Sequence, residues 1–285
     1  MRSLHRFTEP KAFLTQAEPF LRAKEVENAL MLGICESARF DDSCYLATVE
    51  EDQAVVACAL RTPPHGALLT RADRHALALL AADLADKYQD LPAVAGPEPA
   101  VGVFARLWSA RTGEAAERAM RMRVFEARRV VQPPAPAGTF RVATEADLPV
   151  VAPWTAAFFE EVGLHDPSDP HDAARERIRE GSLFIWEDAR EVSMAAWAGR
   201  TGRVVRINHV YTPPEHRGRG LTQLRQELLR YASACVASLT QKLLDEGFAQ
   251  CCLYTDLANP TSNKIYQTIG YRPVCDAAEY QLGAG

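Results

Sequence analysis

The sequence predicts an α/β protein, in the α+β arrangement, that is built from two domains. Its 285 residues are enough for two domains of ordinary size. Apolar runs of strand length alternate along the chain with segments in which apolar residues recur at helical spacing. A proline-rich stretch, VQPPAPAG at 131–138, divides the chain near its middle. We therefore place a first domain at 1–132, a linker at 133–139 and a second domain at 140–285.

In the first domain, helices and strands are expected to alternate around a core of their own. The segment 74–89 is rich in alanine and leucine, which favour helix. Gly113 follows a periodic segment and is placed where a helix ends. A hairpin is expected across 50–53. Helices are predicted at 18–37, 74–89 and 99–112, and strands at 44–49, 54–60, 67–70, 93–96 and 120–131.

The second domain shows stronger start and stop signals. Thr144-Glu145-Ala146-Asp147 resembles a capping box and opens a helix that runs to about Val162. Gly181 ends a second helix, and three antiparallel strands follow it. Each domain is therefore expected to hold a mixed, mostly antiparallel sheet flanked by helices. The predicted strands are 140–143, 182–186, 192–198, 204–211, 250–255 and 279–282, and the short helix is 171–180.

The most informative stretch joins a buried strand to a long amphipathic helix. The β-branched run 204–211 is stopped by Thr212-Pro213-Pro214, because proline cannot donate to a strand ladder. Arg217-Gly218-Arg219-Gly220 comes next, and the helix follows. Glycines let backbone N–H groups approach a ligand, and a helix start adds unpaired donors and positive charge. This arrangement is suited to a diphosphate. The alternative interpretation is a basic turn that caps a helix.

Other phosphate-binding motifs do not match this stretch. The nucleotide-triphosphate loop G-x-x-x-x-G-K-[ST] is absent from the sequence. A dinucleotide motif would need a third glycine, which is missing after Gly220. The loop by itself therefore does not identify its ligand, and a second motif has to be considered with it.

That second motif follows an apolar strand at 250–255. Asn259, Ser262, Tyr266 and the pair Gly270-Tyr271 fit the pattern N-x-x-S-x-x-x-Y-x-x-x-G-[FY]. Together with the Arg-Gly-Arg-Gly loop, this segment resembles the GNAT N-acetyltransferase superfamily. The loop is similar to that family's R/Q-x-x-G-x-G/A coenzyme A motif. The resemblance covers roughly residue 140 to the last residue of the sequence.

The first domain resembles a degenerate copy of the same fold. Pro97-Glu98-Pro99 leads into a helix that ends at Gly113, as Asn259-Pro260 leads into one that ends at Gly270. The loop position of the first domain, 70–74, holds no glycine. Side-chain Cβ atoms would crowd a diphosphate there, so coenzyme A is expected only in the second domain.

The resemblance implies acetyl-CoA as the cosubstrate and assigns roles to several residues. Tyr266 is the expected proton donor, since a phenol with a pKa near 10 can protonate a thiolate whose acid has a pKa near 8.5. The strand edge at 210–212 is expected to pair with the pantetheine amides, and a free N–H there could stabilise the tetrahedral oxyanion. Asn259 could bond coenzyme A, cap its helix, or do both. The expected coenzyme residues are Val210, Tyr211, Thr212, Arg217, Gly218, Arg219, Gly220, Leu221, Thr222, Asn259, Ser262, Asn263 and Tyr266.

The general base is less clearly indicated than the proton donor. Some members of the family use a glutamate on the fourth strand, and Arg206 holds the matching position here. His209 lies nearby and could titrate in the useful range, so it is the second catalytic candidate. The alternative is that His209 is a structural residue of the strand.

One departure from the family pattern concerns residues 221–230. The family usually has an aromatic or apolar residue after the last loop glycine and then Gly or Ala, whereas this chain has Leu221 and Thr222. Tyr231-Ala232 would fit that pattern, so 221–230 is interpreted as an insertion at the mouth of the loop. One unbroken helix to Glu246 would be about 39 Å long. Either the helix overhangs or the insertion forms a turn of its own.

Composition excludes several classes of function. The net charge of −5 argues against a general nucleic-acid or anionic-membrane role, and against an aminoacyl-tRNA-dependent transferase of related tandem fold. No apolar run is long enough to cross a bilayer, and the N-terminus lacks a secretory pattern. Seven cysteines without C-x-x-C spacing are interpreted as free thiols of a cytoplasmic protein, with no metal site. A homodimer is compatible with the sequence.

Two functions remain from different classes. The first is an acetyl-CoA-dependent N-acetyltransferase that acts on a primary amine of a small molecule or peptide. The second is a non-catalytic acyl-CoA-binding or interaction protein whose coenzyme site is perturbed by the insertion at 221–230. Consumption of acetyl-CoA with a panel of amines distinguishes the two.

Overall fold

A computed structural model describes residues 1–37, 40–134, 136–163, 169–216 and 222–283, with the backbone alone for Ser37, His216 and 222–230. In the first part of the chain the elements alternate as the sequence pattern predicts. They are β1 (Arg2–Phe7), α1 (Pro10–Ala23), α2 (Ala29–Ser37), β2 (Tyr45–Glu51), β3 (Ala54–Arg61), β4 (Ala67–Leu69), α3 (Arg74–Lys87), β5 (Ala93–Pro97), α4 (Glu98–Thr112) and β6 (Ala116–Ala127).

The second part of the chain continues this alternation. A single 3₁₀ turn at Glu145–Asp147 precedes the first helix of this part. The elements are β7 (Thr139–Val142), α5 (Leu148–Glu161), α6 (Pro170–Arg179), β8 (Leu183–Asp188), β9 (Arg190–Thr201), β10 (Val204–Tyr211), α7 (Thr222–Asp245), β11 (Gln250–Asp256), α8 (Pro260–Thr268) and β12 (Arg272–Leu282).

The chain forms two compact units whose limits differ from the segmentation expected from the linker. Unit 1 consists of Met1–Val124, Asp256–Ala258 and Val274–Gly285. Unit 2 consists of Phe125–Thr255 and Asn259–Pro273. Two pieces from the later part of the chain therefore lie in the first unit. The sequence gives no sign of this exchange, because proline content marks loops and not the partners of a strand.

Unit 1 is a mostly antiparallel sheet with helices on both faces. Its strands follow the order β1-β2-β3-β4-β5-β12-β6. β1 to β4 pair antiparallel in succession, and β4 and β5 pair parallel. One face packs on α3 and α4, with Leu80, Phe104 and Trp108 in the core. The other face packs on α1 and α2, with Phe13 and Leu32 in the core.

Unit 1 also corrects the helix expected at 18–37. The structure has two helices there, α1 and α2, separated between Ala23 and Ala29. The carbonyl of Leu21 accepts from Lys24 N at 3.3 Å and from Asn28 Nδ2 at 3.0 Å, which ends the helical ladder. β1 was not predicted from the sequence. The hairpin of β2 and β3 was, and Asp52 and Gln53 form its turn with positive φ.

β12 was predicted as a short strand of the second domain, but its outer part belongs to unit 1. Ala277 to Gln281 pair antiparallel with β5, and Leu282 N donates to Pro92 O at 2.9 Å. Ala278 and Leu282 are buried in the core with α3 and α4. The last strand of the chain therefore fills a position in the middle of the unit 1 sheet.

Unit 2 contains the strand order β11-β10-β9-β8-β7. β7 to β10 pair antiparallel in succession, and β10 and β11 pair parallel. One face packs on α7 and α8, and the other packs on α5 and α6. The capping box is present, since Thr144 N donates to the Asp147 carboxylate at 2.7 Å. The neighbouring Arg141 guanidinium lowers the pKa of Asp147 to about 2.

α7 is a continuous helix from Thr222 to Asp245. Its 24 residues span about 36 Å at 1.5 Å per residue. The alternative of a separate turn within the inserted residues is therefore not what the backbone adopts from 222 onward. From Tyr231, where side chains are described, the helix packs on the sheet, and Cys235 and Leu239 are fully buried.

Two further expectations concerned free thiols and membrane-spanning segments. All seven cysteines are free, and burial raises the pKa of Cys35 to about 12. In the described residues we find no helix whose length and apolar character would let it cross a lipid bilayer.

Candidate functional site

The central feature of the site is a bulge in β10. Asn208 pairs with Ala196 of β9, and the next recorded pair joins Tyr211 to Met194. β10 therefore advances three residues where β9 advances two, which is the signature of a β-bulge. His209 lies in the bulge with φ of 49°, in the left-handed region. Histidine is more frequent there than most residues with a side chain, and such positions cluster at functional sites.

The bulge directs the side chain of His209 toward two phenylalanines of α5. Its ring stacks on Phe158 of α5 at a centroid distance of 4.8 Å and meets Phe159 edge-on at 5.4 Å. Only 5% of His209 is exposed, and neither ring nitrogen has a hydrogen-bond partner in the structure as described. Burial lowers the pKa of His209 well below its usual value, and the charges of Arg177 and Arg206 lower it further. The imidazole is therefore neutral at physiological pH.

Two other polar side chains on β10 have buried atoms without partners. Val205 and Ile207 face the α7 layer, so Arg206 and Asn208 face the α5–α6 layer with His209. Arg206 Nε and Asn208 Oδ1 are buried and make no hydrogen bond to the described part of the chain. A buried polar atom left unpaired costs about 1–3 kcal/mol. These atoms are therefore available to a partner outside the described chain, such as ordered water or a ligand.

β10 and β11 separate beyond this point. Their parallel pairing joins Val204 to Gln250, Val205 to Cys251 and Arg206 to Cys252, and within the described residues it goes no further. We call the opening between β10 beyond Arg206 and β11 beyond Cys252 the strand gap. Along it, residues 207–210 have no pairing partner on β11. Their backbone edge is available to an extended ligand with amide groups, as the pantetheine arm of coenzyme A has.

Tyr266 lies on the opposite face of the sheet from His209. It packs in the cluster that contains Ile207 of β10 and Leu253 of β11, on the side of α7 and α8. Its ring is 6.3 Å from that of Phe125 and 6.0 Å from that of Tyr271. Burial raises the pKa of Tyr266 to about 12, so the phenol stays protonated. Ile207 and Leu253, which flank the strand gap, belong to the same cluster as Tyr266.

The predicted residues at the start of α8 form a cap. Asn259 Oδ1 accepts from Ser262 N at 3.0 Å, and Asn263 Nδ2 donates to Asn259 O at 2.7 Å. The side chain of Asn259 therefore does what a helix cap does. Asn259 is also exposed, which leaves room for a ligand beside it.

The predicted residues on the strand differ in what their side chains do. Tyr211 is buried with its ring 6.2 Å from that of Trp154, in the α5–α6 core. Thr212 Oγ1 and Ser193 Oγ are hydrogen-bonded at 2.9 Å. Val210 packs at the margin of the α7 core. A ligand in the strand gap would therefore meet the backbone of these residues and not the side chains of Tyr211 and Thr212.

The predicted diphosphate loop cannot be compared with the structure. Arg217, Gly218, Arg219, Gly220 and Leu221 lie outside the described residues. The backbone of Thr222 begins α7, whose first turn contains no acidic residue. A helix start without acidic side chains is compatible with a bound diphosphate.

Sequence reasoning missed the contributions of Asn208, Phe158, Phe159 and Arg177. Arg206 was noticed only as a departure from the family's glutamate. The available signal was the run Arg206 to His209, because three polar residues within an otherwise buried strand are unusual. The bulge, which brings them to one face, has no clear sequence signature. No group of three or more His, Cys, Asp or Glu in the described residues could hold a metal ion.

Comparisons with known proteins give a family match for part of the chain. Residues 184–280, from β8 to β12, match the family model of FR47-like proteins, a GNAT-type domain. No protein of curated function matches the chain significantly.

Solved structures match over nearly the whole chain. One is described as a GCN5-related N-acetyltransferase from Kribbella flavida: identity is 18%, coverage 92% of this chain and 96% of that one, and the TM-score 0.61. Another is a GCN5-related N-acetyltransferase from Sphaerobacter thermophilus, with 14% identity, coverage of 98% and 95%, and a TM-score of 0.61. A tandem GNAT protein from the clavulanic acid biosynthesis pathway has 15% identity, coverage of 99% and 98%, and a TM-score of 0.56.

These likenesses show the fold. The chain has the tandem GNAT fold, with mixed and mostly antiparallel sheets flanked by helices, and the predicted fold class is confirmed. The resemblance of the second half to GNAT acetyltransferases is confirmed as well.

Proposed function

We propose that this protein is an acetyl-CoA-dependent N-acetyltransferase that transfers an acetyl group to a primary amine of a small molecule or peptide. The observation that carries the proposal is the strand gap, which opens after three paired residues of β10 and β11. Tyr266 lies in the core on one side of the gap, and His209 lies on the other. Such a gap allows a thioester to meet an amine from the opposite face.

The residues present fit acetyl-CoA at the level of the strands. Bound acetyl-CoA supplies an activated acetyl group and a thiolate leaving group. The backbone at 207–210 can pair with the amides of its pantetheine arm, and an N–H of the bulge can donate to the developing oxyanion. Arg217 to Gly220 and the start of α7 are proposed to hold the diphosphate.

The amine is proposed to lose its proton on the α5–α6 face. The charges of Arg177 and Arg206 disfavour a further positive charge beside them, which lowers the pKa of an ammonium as it does that of His209. His209 has unpartnered ring nitrogens with which to accept a hydrogen bond from the amine. The neutral amine is the nucleophile, so this environment favours the reactive form.

Tyr266 is proposed to donate to the departing sulfur. With its pKa raised to about 12, the phenol is always protonated but is a weaker acid than the thiol that forms, whose pKa is about 8.5. Its contribution is therefore a hydrogen bond to the sulfur as charge develops, and the proton that the thiolate takes up is balanced by the one that the attacking amine loses. Because its pKa is raised, the phenol stays protonated until the sulfur becomes negatively charged and can donate to it then.

The test is release of free thiol from acetyl-CoA with a panel of amino acids, polyamines, aminoglycosides and peptides. The expected result is thiol release that depends on an amine, with the acetylated amine identified by mass spectrometry. Acetyl-CoA binding in calorimetry without turnover of any amine would instead favour the non-catalytic acyl-CoA-binding protein. In that case the ten extra residues at the start of α7 would be the feature to examine.

A further inference from the structure

The unpartnered polar atoms on β10 define which chemical groups of a ligand they could bind. Arg206 Nε can only donate a hydrogen bond, and Asn208 Oδ1 can only accept one. The neutral ring of His209 has one nitrogen that donates and one that accepts. The ligand therefore needs an acceptor near Arg206 and a donor near Asn208 and His209.

The charges near Arg206 indicate which kind of hydrogen-bond acceptor the ligand carries. Arg206 is half-buried and forms no ion pair with any carboxylate of the described chain. Its charge and that of Arg177 both act on His209 and disfavour a positive charge on that ring. Phe158 and Phe159, which enclose His209 from α5, bring no compensating charge. A half-buried guanidinium without a counter-ion is best completed by an anion, and a carboxylate matches its geometry.

The distance between Arg206 and Asn208 allows one small molecule to supply both the hydrogen-bond acceptor and the hydrogen-bond donor. Arg206 and Asn208 are two residues apart on one face of a strand, so their Cα atoms lie about 7 Å apart. The bulge brings His209 to the same face, next to Asn208. A long arginine side chain and a short asparagine side chain can meet atoms that are a few ångströms apart. The amine and carboxylate of an amino acid have this separation.

We propose that the acceptor is an amino acid or a similar amino-carboxylate, whose carboxylate binds Arg206 and whose amine binds Asn208 and His209. This inference rests on the proposed acetyl transfer and names its substrate class. The step is the same transfer: the amine nitrogen forms a bond to the acetyl carbon, the carbon–sulfur bond breaks, and the amine proton leaves as the thiolate takes one up. The products are an N-acetyl amino acid and coenzyme A.

The experiment measures thiol release by the full-length protein with matched acceptors. Each amino acid, chosen from small, aliphatic, aromatic, acidic and basic types, is compared with its carboxamide and with the amine obtained by decarboxylation. For the preferred side chain, kcat/KM is expected to be about 10- to 100-fold higher with the free carboxylate, the range of a charge-assisted hydrogen bond. Equal kcat/KM for the acid and the decarboxylated amine would overturn the inference.

Variants assign the effect to Arg206. In Arg206→Gln, kcat/KM for the amino acid should fall about 10- to 100-fold further than that for the decarboxylated amine, which loses only the effect of the Arg206 charge on its own pKa, and Arg206→Lys should retain part of the difference. Arg203→Gln removes an exposed charge three residues away and is the matched control, expected to match the wild type. An equal loss for both acceptors in Arg206→Gln would mean that Arg206 does not bind the carboxylate, and it would overturn the inference.

The outcome also separates this inference from the proposed function. Thiol release only with amines that lack a carboxylate would sustain acetyl transfer and refute the carboxylate site. If no amine supports turnover, the proposed function fails, and the site is judged by binding of the same amino acids in ligand-detected NMR. Binding that requires the carboxylate and is lost in Arg206→Gln would then support it, and absence of such binding would refute it.

Discussion

The two units of this chain treat the end of their parallel strand pair in opposite ways. In unit 1, β4 and β5 stay paired through Ala67 and Leu68, and at the next step Gly96 lies against the backbone of Leu69. A Cβ on Gly96 would come within 2.5 Å of Leu69 O, so only glycine allows this approach. In unit 2, β10 and β11 separate after three pairs. Gly96 therefore keeps β4 and β5 together one step beyond their last pair, whereas the recorded pairing of β10 and β11 ends at Arg206 and Cys252.

The helix that follows the first strand of each pair differs as well. Asp73 caps the start of α3, and its carboxylate accepts from His75 N and Ala76 N at 3.0 Å. Arg2 donates to the same carboxylate and, as the largest cause, lowers the pKa of Asp73 to about 2. The anion that this helix start attracts is therefore part of the protein. The first turn of α7 has no acidic residue.

This difference teaches that the shared order of elements does not by itself make a coenzyme site. Unit 1 keeps the strands and the helix but fills the gap with backbone and the helix start with a carboxylate. Unit 2 leaves both open and adds polar atoms that lack partners. We therefore expect ligand chemistry in unit 2 alone, and the following predictions test that expectation, beginning with the largest effect.

The largest effect is expected from Tyr266→Phe. This tyrosine is specific to unit 2, since α4, the corresponding helix of unit 1, contains no tyrosine. Loss of the hydroxyl should lower kcat by about 10²–10⁴-fold and leave acetyl-CoA affinity nearly intact. Tyr271→Phe is the control: the family motif accepts phenylalanine there, and the Tyr271 hydroxyl bonds Thr240 at 2.8 Å. That variant should lose about 0.5–1.5 kcal/mol of stability and keep kcat. An unchanged kcat in Tyr266→Phe, with chemistry rate-limiting, would show that Tyr266 only packs.

The next effect concerns acetyl-CoA affinity and compares the diphosphate loop of unit 2 with the corresponding position of unit 1. Arg219→Glu should weaken acetyl-CoA binding by about 10- to 100-fold, since it removes a charge-assisted contact to the diphosphate and adds repulsion. Arg74→Glu makes the same change at the exposed start of α3 and should leave the affinity unchanged. Calorimetry with the full-length variants measures both. A comparable loss in Arg74→Glu would show that unit 1 also binds the coenzyme.

The third effect is a pH dependence of stability. It is expected in unit 2 because β10 carries His209, whereas β4 of unit 1 carries only apolar residues. The pKa of His209 is lowered in the folded protein, so below about pH 6.5 the unfolded chain binds more protons. Arg177 and Arg206, the charges that act on His209, do not titrate there. The free energy of unfolding of unit 2 should therefore fall on acidification through pH 6.5, by up to about 1.4 kcal/mol per pH unit.

Denaturant unfolding at pH 7.5 and 5.0 measures this dependence. His209→Asn should reduce it, because asparagine does not titrate and tolerates positive φ. His75→Gln, at an exposed position of unit 1, controls for loss of a histidine. Equal pH dependence in wild type and His209→Asn would contradict the prediction.

The smallest effect is expected from removing 221–230, which distinguishes α7 from a helix of ordinary length. Deletion joins Gly220 to Tyr231 and places Ala232 where Thr222 stands. Alanine allows closer approach of the backbone to the diphosphate than β-branched threonine does. A gain of about 1 kcal/mol would lower Kd for acetyl-CoA about fivefold. If the folded variant binds acetyl-CoA no better, the insertion is not an obstruction, and a contact with the acceptor or with a second subunit becomes its expected role.

Much of the fold was predictable because its signals are local. The capping box at Thr144, the end of α4 at Gly113 and the strand Val204–Tyr211 follow from the nature of a few neighbouring residues. The division at 18–37 was not, because it depends on the Asn28 side chain reaching the Leu21 carbonyl. Periodicity alone cannot register such a contact.

The site was predictable only as far as motifs extend. The family pattern indicated Tyr266 and Asn259, whose roles stay predictions. Arg206 and Asn208 could not be grouped with His209, because the grouping depends on one extra residue in β10 relative to β9. Strand alternation alone would place His209 on the opposite face. The closure of the gap in unit 1 depends likewise on a long-range backbone contact at Gly96.

The place of β12 has a consequence for the order of folding during synthesis. Domains usually fold from the N-terminus as they leave the ribosome. Here the sheet of unit 1 lacks a central strand until residues 277–281 are made, roughly 160 residues after Val124 and so about 8–30 s later at 5–20 residues per second. During that interval β5 presents an open edge of the kind that recruits foreign strands. Unit 2 can acquire most of its own sheet first, so the unit without the proposed site would be the last to mature.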